Sequence, residues 1–595
     1  MQRRLMTRFT AISAALIVVA LIVAACGGGD PTAVSQPTAP APQPTVAPQP
    51  TATLEPAATR APGQARPVAT SVPTATPTAA PTPTPTGFEP RYGGTLNTRN
   101  IFDWTSWDTW HAFGGFSSML VSNMFSNLLH PALNDLTTLA PDLAIEWDIS
   151  DDGLTYTLKL RQDVKWHDGK PFTSADVKWN IDRGRTSEDP FISFNKRKVS
   201  IITEVETPDD FTVVMRLAQP SASFLASLAA PSMLMYPPHV EGVAPKSGAV
   251  GTGPFKYKRW QQDTVLEMTR NDDYYQTDEA GRSLPYVDEQ HSFIITVSLA
   301  LSAFRTGKID CGCGYDHDFV TIAADQIRRD MPDANVFLIL ADQFNLLFNI
   351  ERPPFDNQRV RQAFSMMLDR RALVLLPRGG HGRFPPHHML SPDLGGQWGL
   401  PDAEIVQMPG FRESFEDEVA EAKRILQEEG IDPSSLNLVF QAILSPNVDP
   451  YHLAAQNLLL NASGAKIDVR QNRGAAFVES MAAKGWDISM TAGGTAYDDP
   501  TDVFLEAVTT TGSGNRARLD YGVDEMAAEQ DSTLDFLKRR EIIRDIQRKL
   551  INDAVYIPAV YQVDGYATNA RVVGYIAPPF SVGPQFRLER LWLKF

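Results

Sequence analysis

The sequence predicts an α/β protein of at least two lobes that is carried on a long tether. The chain has 595 residues, of which 43% are hydrophobic, and a single core stops growing beyond roughly 250–300 residues. From about residue 90 onward, segments with strand periodicity alternate with segments with helical periodicity, which favours an α/β architecture. The residues before that point are rich in Pro, Thr and Ala and offer little to a core.

The amino terminus has the composition of an export signal. Three arginines precede an apolar run over residues 9–25, as in the charged and hydrophobic regions of a secretory signal. The small residues before Cys26 resemble the lipobox of bacterial lipoproteins, in which the cysteine carries the lipid. We therefore predict a signal peptide over 1–25 and lipid attachment at Cys26. An uncleaved membrane helix is the alternative, but about 17 residues are short for ~30 Å of hydrocarbon.

Residues 26–87 predict a disordered tether. The Pro-rich composition of about residues 30–86 favours extended polyproline II structure at ~3.1 Å per residue, so this stretch can hold a globular domain up to ~170 Å from its anchor.

Charge and cysteine content exclude several classes of protein. The formal net charge of −16 disfavours nucleic acid as a partner, because such binding needs a basic face. Cys26 is the predicted anchor, which leaves only Cys311 and Cys313. Two cysteines cannot form a disulfide framework, and no second Cys or His pair at zinc-ligand spacing accompanies them. We predict neither a bound metal nor any other cofactor.

The first clear elements are a hairpin and a helix. Residues 145–150 and 154–160 alternate apolar and polar side chains across an Asp-Asp-Gly turn, which is a hairpin signal. Thr173 is placed to cap a following helix, with Asp176 in the position of a capping-box acid. The apolar face of that helix continues through Val177.

Further helices and strands follow. Residues 342–349 and 436–440 read as strands, and residues 359–373 predict one helix. The apolar stripe of that helix comprises Val360, Ala363, Phe364, Met367 and Leu368. Ser414 with Asp417 opens another helix, and Gly430 fits the left-handed residue just after its end.

Several blocks along the chain form a recognisable pattern: 94–96, 150–161, 164–177, 251–255, 354–356 with 360–363 and 369–370, and 421–426. In order and spacing, these blocks resemble the family 5 solute-binding proteins, the dipeptide-, oligopeptide- and nickel-binding group of ABC importers. The resemblance spans nearly all of 90–595. It implies a periplasmic-binding-protein-like fold of type II, in which two α/β lobes close on a ligand and an extra subdomain is inserted in lobe I.

The resemblance also implies the division of the chain. Lobe I is expected at 88–128, 245–335 and 556–595, the inserted subdomain at 129–244, and lobe II at 336–555.

Binding is the predicted activity rather than catalysis. The sequence contains no His-Glu-x-x-His, Gly-x-Ser-x-Gly or P-loop pattern. We expect a monomeric extracytoplasmic lipoprotein that delivers a peptide-like, opine-like, oligosaccharide or metal-complex solute to ABC permease and ATPase subunits. The alternatives are a ligand-sensing receptor and an extracytoplasmic hydrolase on the same scaffold.

One loop departs from the peptide-binding pattern. In peptide-binding members, a lobe II loop that ends in an acid and a proline carries an aspartate for the ammonium of the peptide. The matching loop is 493–500, and that position falls on Ala496. Loss of one partner of a buried ion pair costs ~3–5 kcal/mol, so a free-amine peptide is a less favoured ligand. Asp498 and Asp499 are candidate substitutes, and turn formation before the proline is their alternative role.

Aromatic side chains supply further candidate ligand contacts. Tyr497 lies on the same loop, and Trp104 and Trp107 follow the first strand, in a region that lines the cleft in relatives. Core packing is the alternative for the tryptophans, including Trp110. Asn345, on the strand 342–349, is the remaining predicted contact.

Three histidines lie in a Gly- and Pro-rich loop. His381, His387 and His388 suit metal capture by residue type. No carboxylate neighbours them in sequence, so we assign no metal role.

Overall fold

The computed structural model describes residues 89–577 and 588–595, apart from 102, 104–105, 111–121, 133–134, 189–192, 241–247, 314–317, 377–379, 395, 445–448 and 494–498. By its internal contacts, the chain divides after Ser71, and Val72–Phe595 forms the second unit. All described residues belong to the second unit. The predicted signal peptide, Cys26 and the tether lie outside the described residues.

The strands of the described residues are β1 (Thr95–Asn100), β2 (Leu129–Ala132), β3 (Asp135–Pro141), β4 (Ala144–Ile149), β5 (Thr155–Leu160), β6 (Ile202–Asp209), β7 (Thr212–Leu217), β8 (Phe255–Gln261), β9 (Val265–Arg270), β10 (Glu289–Ile294), β11 (Cys311–Gly312), β12 (Asn335–Phe348), β13 (Asn437–Ile443), β14 (Lys466–Asn472), β15 (Ile488–Gly493), β16 (Tyr556–Thr568), β17 (Val572–Val573) and β18 (Trp592–Leu593).

The α-helices there are α1 (Ser174–Thr186), α2 (Ser193–Ser200), α3 (Phe224–Leu228), α4 (Val297–Arg305), α5 (Asp318–Asp330), α6 (Gln358–Met366), α7 (Arg370–Leu375), α8 (Asp402–Ile405), α9 (Phe415–Glu428), α10 (Asp449–Ser463), α11 (Gly474–Ala482), α12 (Asp524–Ser532) and α13 (Phe536–Asn552). Residues Asp502–Ala507 form a π-helical turn. Within the described part of the chain, no helix has both the length and the apolar character needed to cross a bilayer.

A ten-stranded sheet runs through the protein in the order β14-β13-β15-β12-β16-β11-β1-β10-β9-β8. At one end, β13 is parallel to both β14 and β15; these strands fall in predicted lobe II. Toward the other end, β1 is parallel to β10 and β11; these strands fall in predicted lobe I. The sheet is therefore continuous across both groups of strands.

Two long antiparallel strands, β12 and β16, join the two groups. The first half of β12 pairs with the end of β16, beginning with Asn335 opposite Thr568. The second half of β12 pairs with the start of β16 on one side and with β15 on the other. Between Leu340 and Gln343 the register with β16 shifts, as in a β-bulge. A bulge bends a strand and strengthens its twist, so this shift marks the point where the connection bends.

A separate four-stranded sheet, β4-β5-β7-β6, packs with α1. Strands β4 and β5 form the predicted antiparallel hairpin, and Gly153 in its turn has φ +69°. Asp176 accepts a 2.8 Å hydrogen bond from the backbone N–H of Thr173 at the start of α1. Both local predictions are confirmed.

His167 joins two of the blocks that carry the family resemblance. Its Nδ1 accepts a 3.1 Å hydrogen bond from the N–H of Gly251, and its Nε2 lies 3.0 Å from the carbonyl oxygen of Gly253. The backbone N–H of His167 also donates to the carbonyl of Gly251. These blocks are thus neighbours in space although more than 80 residues separate them in sequence.

The single helix predicted over 359–373 is wrong in one respect. The structure has two helices, α6 and α7, because Asp369 caps the second by accepting a hydrogen bond from the N–H of Ala372. The stripe from Val360 to Leu368 is nevertheless fully buried in the lobe II core. Ser414 caps α9 as predicted, and Gly430 has the expected left-handed φ of +70°.

Cys311 and Cys313 are buried and joined by a disulfide. It closes a loop of only three residues, and the entropy that a cross-link removes from the unfolded chain grows with loop length. The fold therefore depends on its cores rather than on this bond.

Candidate ligand-binding cleft

Two sets of parallel strands, one in each lobe, have carboxyl ends that point toward the same position along the long strands β12 and β16. β15 ends at Gly493, opposite Gln343 of β12, and β13 and β14 run in the same direction. β11 pairs antiparallel with the last residues of β16, and β1 is parallel to β11. The carboxyl ends of β1 and β11 therefore point back along β16 toward the same position. Ligands of α/β proteins bind in the crevice outside the carboxyl ends of strands. The topology thus predicts a candidate cleft between the two lobes.

Asn345 and Tyr556 form a buried pair beside the end of β15, which we call the base of the lobe II wall, although Tyr556 opens the range 556–595 that was predicted to return to lobe I. The side-chain N–H of Asn345 donates a 3.2 Å hydrogen bond to the Tyr556 hydroxyl. A methyl group added at Gly493 would lie 3.0 Å from that hydroxyl, so the hydroxyl reaches the end of β15. The Oδ1 atom of Asn345 finds no hydrogen-bond donor among the described residues. Burial raises the pKa of Tyr556 to about 12.

The loop predicted to contact ligand is only partly described. Ala496, Tyr497 and Asp498 lie outside the described residues. Asp499 is described, and both of its carboxylate oxygens accept hydrogen bonds from Arg539, at 2.8 and 3.1 Å. Both side chains are buried, and Asp499 also accepts from the N–H of Thr501. These contacts match the turn-forming alternative for Asp499, and a ligand cation would compete with Arg539 for its carboxylate.

The predicted aromatic contacts after β1 are buried where they are described, against predicted lobe I and the predicted inserted subdomain. Trp104 lies outside the described residues. Trp107 is 5% exposed and meets the rings of Tyr257 and Trp260 edge-on, with centroids 5.5 and 5.7 Å away. Trp110 donates its indole N–H to the carbonyl oxygen of Leu234 at 3.0 Å. Core packing, the alternative role for these side chains, is therefore what the structure displays for Trp107 and Trp110.

Polar side chains lie at the lobe I strand ends. Asn100, the last residue of β1, donates a 2.6 Å hydrogen bond to the hydroxyl of Ser292 on β10. Thr98 donates to the same hydroxyl at 3.2 Å. All three residues are buried. They form a neutral, hydrogen-bonded cluster on the lobe I side of the candidate cleft, which sequence periodicity did not indicate.

The segment with the three histidines packs beside the lobe II wall. Gln343 donates to the carbonyl oxygen of His388, and Nε2 of His388 lies 2.7 Å from the carbonyl oxygen of Tyr556. The imidazole stacks on the Tyr556 ring. Burial lowers the pKa of His388 to about 4, so the ring is neutral at pH 7.

His387 has a carboxylate partner that its sequence neighbourhood did not reveal. Its Nε2 lies 2.8 Å from Oδ1 of Asp402, whose other oxygen binds Arg383. Burial lowers the pKa of His387 despite this partner. Among the described residues, no group of three or more His, Cys, Asp or Glu side chains is arranged to hold a metal ion.

Arg516 is a candidate cleft residue that sequence reasoning missed. Its guanidinium lies 5.3 Å from the centre of the Phe477 ring, in the first turn of α11, which follows the carboxyl end of β14. The side chain is partly buried, and desolvation lowers its pKa while the nearby Tyr556 raises it. No pattern along the sequence connects Arg516 with these residues, because the contacts are between distant segments.

The chain belongs to the bacterial extracellular solute-binding proteins, family 5, whose middle-region model matches residues 138–515, more than half of the chain. A putative ABC transporter peptide-binding protein of Brucella ovis is 36% identical over 259 residues, 41% of this chain and 46% of that protein. The chain thus spans about half the length of that relative. The dipeptide-binding protein DppE of Bacillus subtilis is 25% identical over 517 residues, 81% of this chain and 90% of that protein.

Solved structures share the fold. The binding protein AgaA of A. tumefaciens in complex with agropinic acid matches with a TM-score of 0.69 and 22% identity, over 84% of this chain and 99% of that chain. DppA of Helicobacter pylori, in complex with the peptide STSA, matches with a TM-score of 0.69 and 20% identity, over 84% and 98%. The predicted type II binding-protein fold is confirmed.

Proposed function

We propose that this protein is a lipid-anchored, extracytoplasmic receptor that captures a small solute between its lobes and delivers it to an ABC importer. Membership of family 5 supports solute capture. The observation that carries the proposal is the convergence of the strand ends of both lobes on one cleft, at the level where β15 ends opposite Gln343.

Closure of the cleft is the proposed mechanism. β12 and β16 connect the lobes, and the register shift after Leu340 lies between their lobe I and lobe II pairings. A solute that contacts both walls gains its full set of interactions only when the lobes approach. It therefore shifts the population toward a closed form, which a permease can distinguish from the open one.

The proposed solute is a peptide-like, opine-like, oligosaccharide or metal-complex molecule, with a free-amine peptide less favoured. Ala496 occupies the position at which peptide-binding members carry an ammonium-binding aspartate, as the resemblance of the loop 493–500 implies. Asp499, one of the two candidate substitutes, already binds Arg539. The relatives themselves differ in their named ligands, from dipeptides in DppE to heme in heme-binding protein A of Haemophilus influenzae.

The anchor is proposed from sequence alone. Two or more acyl chains on Cys26 would hold the protein at the membrane, because each buried methylene contributes ~0.8 kcal/mol. A Cys26→Ser variant is expected to move from the membrane fraction to the soluble extracytoplasmic fraction. Its retention in membranes would contradict lipid attachment at this residue.

The experiment that tests solute capture is a thermal-shift screen followed by small-angle X-ray scattering. The screen compares di- and oligopeptides, oligosaccharides, opine-like conjugates and nickel complexes, because a ligand that binds only the folded state raises the melting temperature. We expect at least one class to raise it and to reduce the radius of gyration. A solute that binds without compaction would contradict closure.

A gain-of-function variant tests the inference about the solute. Ala496→Asp restores the carboxylate of peptide-binding members, so we expect free-amine dipeptides to raise its melting temperature more than that of the wild type. Strong dipeptide binding by the wild-type protein, abolished by Asp498→Ala, would show that a shifted aspartate has taken over the role.

A further inference from the structure

We infer that Arg516 binds a carboxylate of the solute on the lobe II wall of the cleft. The inference rests on the proposed function, which it deepens by assigning a chemical class: an anionic solute whose charge faces lobe II.

The position of Arg516 places it at the strand ends. Its guanidinium lies over Phe477, whose helix α11 begins directly after β14 ends at Asn472. Phe477 and Tyr556 belong to the same hydrophobic cluster, and the Tyr556 hydroxyl lies beside Gly493, the last residue of β15. Arg516 is therefore next to the edge of the sheet that faces the cleft.

Arg516 has no carboxylate partner among the described residues, unlike Arg539 and Arg383 of the same predicted lobe. None of the described carboxylates lies within 4.0 Å of its guanidinium. Arg539 binds Asp499, and Arg383 binds Asp402. Glu506 lies in the π-helical turn that precedes Arg516. Its carboxylate accepts hydrogen bonds from Ser513. A partly desolvated guanidinium without a counter-charge is costly unless a ligand supplies one.

The backbone around Arg516 is held in place by hydrogen bonds. Asn515 donates to the carbonyl oxygens of Thr509 and Leu519, at 3.1 and 2.7 Å. Arg518 donates to the carbonyl oxygen of Gly512 at 2.7 Å. A turn braced on both sides presents its side chain with little loss of entropy on binding, which is the property of a preorganised site.

The neighbouring polar groups suit a carboxylate. A guanidinium binds carboxylates through two parallel hydrogen bonds. The Tyr556 hydroxyl is neutral at pH 7, since burial raises its pKa to about 12, and it adds no competing negative charge. His388, stacked on Tyr556, is neutral at pH 7 and adds no competing positive charge.

The test uses the full-length protein and pairs of solutes that differ only in a carboxylate or its neutral amide. The pairs are N-acetyl-dialanine and its amide, dialanine and its amide, and a sugar–amino acid conjugate and its amide. Affinity is measured by calorimetry for the wild type, Arg516→Met, Arg516→Lys and Arg473→Met. Arg473 is an exposed arginine at the start of α11 and serves as the matched control.

We expect the wild type to prefer the acid of at least one pair. Arg516→Met should weaken binding of that acid on the order of 100-fold without changing its amide, whereas Arg516→Lys should recover part of the loss and Arg473→Met should change it little. Unfolding curves of the free variants establish that each is folded.

Three outcomes would overturn the inference. They are equal binding of acids and amides, an acid preference that survives Arg516→Met, and binding of none of the acids. If neutral solutes still bind and compact the protein in any of these cases, the proposed function stands and only the anion assignment fails.

Discussion

The hydroxyl of Ser223 donates a 2.6 Å hydrogen bond to the carboxylate of Asp531, although 308 residues separate them. Ser223 belongs to the predicted inserted subdomain and Asp531 to helix α12 of predicted lobe II. Ser221 donates to the same carboxylate at 3.2 Å, and the carbonyl oxygen of Asp531 accepts from the N–H of Ala222 at 2.7 Å. This cluster therefore connects the predicted inserted subdomain with predicted lobe II, which would separate if the proposed cleft opens.

Loss of the Asp531 carboxylate should favour the open form. In Asp531→Ala, two buried serine hydroxyls lose their acceptor, which destabilises the closed state relative to the open state by about 1.5 kcal/mol. Solute affinity should therefore weaken about 10-fold. Scattering should show a larger mean radius of gyration. Glu529→Ala, which removes an exposed carboxylate from the same helix, is the control. Unchanged affinity in Asp531→Ala would mean that the contact does not depend on closure.

The Asp499–Arg539 ion pair should stabilise the folded protein. Asp499→Ala leaves the buried Arg539 without its partner, and breaking such a pair costs about 3–5 kcal/mol. Urea unfolding should show this loss, whereas Asp468→Ala, at an exposed position on β14, should have almost no effect. A normal unfolding midpoint combined with lost solute binding would instead support Asp499 as a ligand contact.

His388 should make stability depend on pH. Its folded pKa of about 4 lies below the ordinary value of 6.5, so the unfolded chain takes up a proton first as the pH falls. The stabilisation is fully present above pH 6.5 and is lost as the pH falls to 4, by about 3 kcal/mol in total.

Urea unfolding of His388→Gln between pH 7.5 and 4 checks this expectation. The variant should show a shallower decline, and some decline should remain because burial also lowers the pKa of His387. His381→Gln should follow the wild-type profile. A His388→Gln variant that follows the wild-type profile as well would contradict a contribution of His388 to the pH dependence of stability.

Gly251 should tolerate no side chain. A Cβ atom there would lie 1.8 Å from the carbonyl oxygen of Met124, which is backbone and cannot move aside freely. Gly251→Ala is therefore expected to destabilise the protein by about 3 kcal/mol or more. Gly485→Ala, where a Cβ atom meets nothing within 4 Å, should be neutral or slightly stabilising. Equal unfolding midpoints for the two variants would contradict the close approach.

The sequence predicted those features that local chemistry determines. The hairpin before α1, the acid at Asp176 and the glycine at Gly430 each rest on interactions within a few residues. The break between α6 and α7 had a local signal as well, since Asp369 is a favoured N-cap residue, but the continuous apolar stripe favoured one helix. The family resemblance supplied the two-lobed fold.

Contacts between distant segments were beyond sequence reasoning. Asp402 approaches His387 from 15 residues away, and Arg516 meets Phe477 only because α11 and the turn after Asp502–Ala507 pack together. No periodicity or capping signal encodes such pairings. For the same reason, the sequence did not distinguish a cleft contact for Trp107 from the core packing that the structure displays.

The register shift between β12 and β16 has a mechanical consequence. Because the two strands are hydrogen-bonded to each other on both sides of the shift, the lobes are joined by a ribbon that resists shear and stretching but yields to bending and torsion. Under the proposed closure, rearrangement of the lobes would be concentrated in the backbone dihedral angles near the shift. The connection would then act as a soft torsional spring, and most of the free energy of solute binding would remain available to hold the solute.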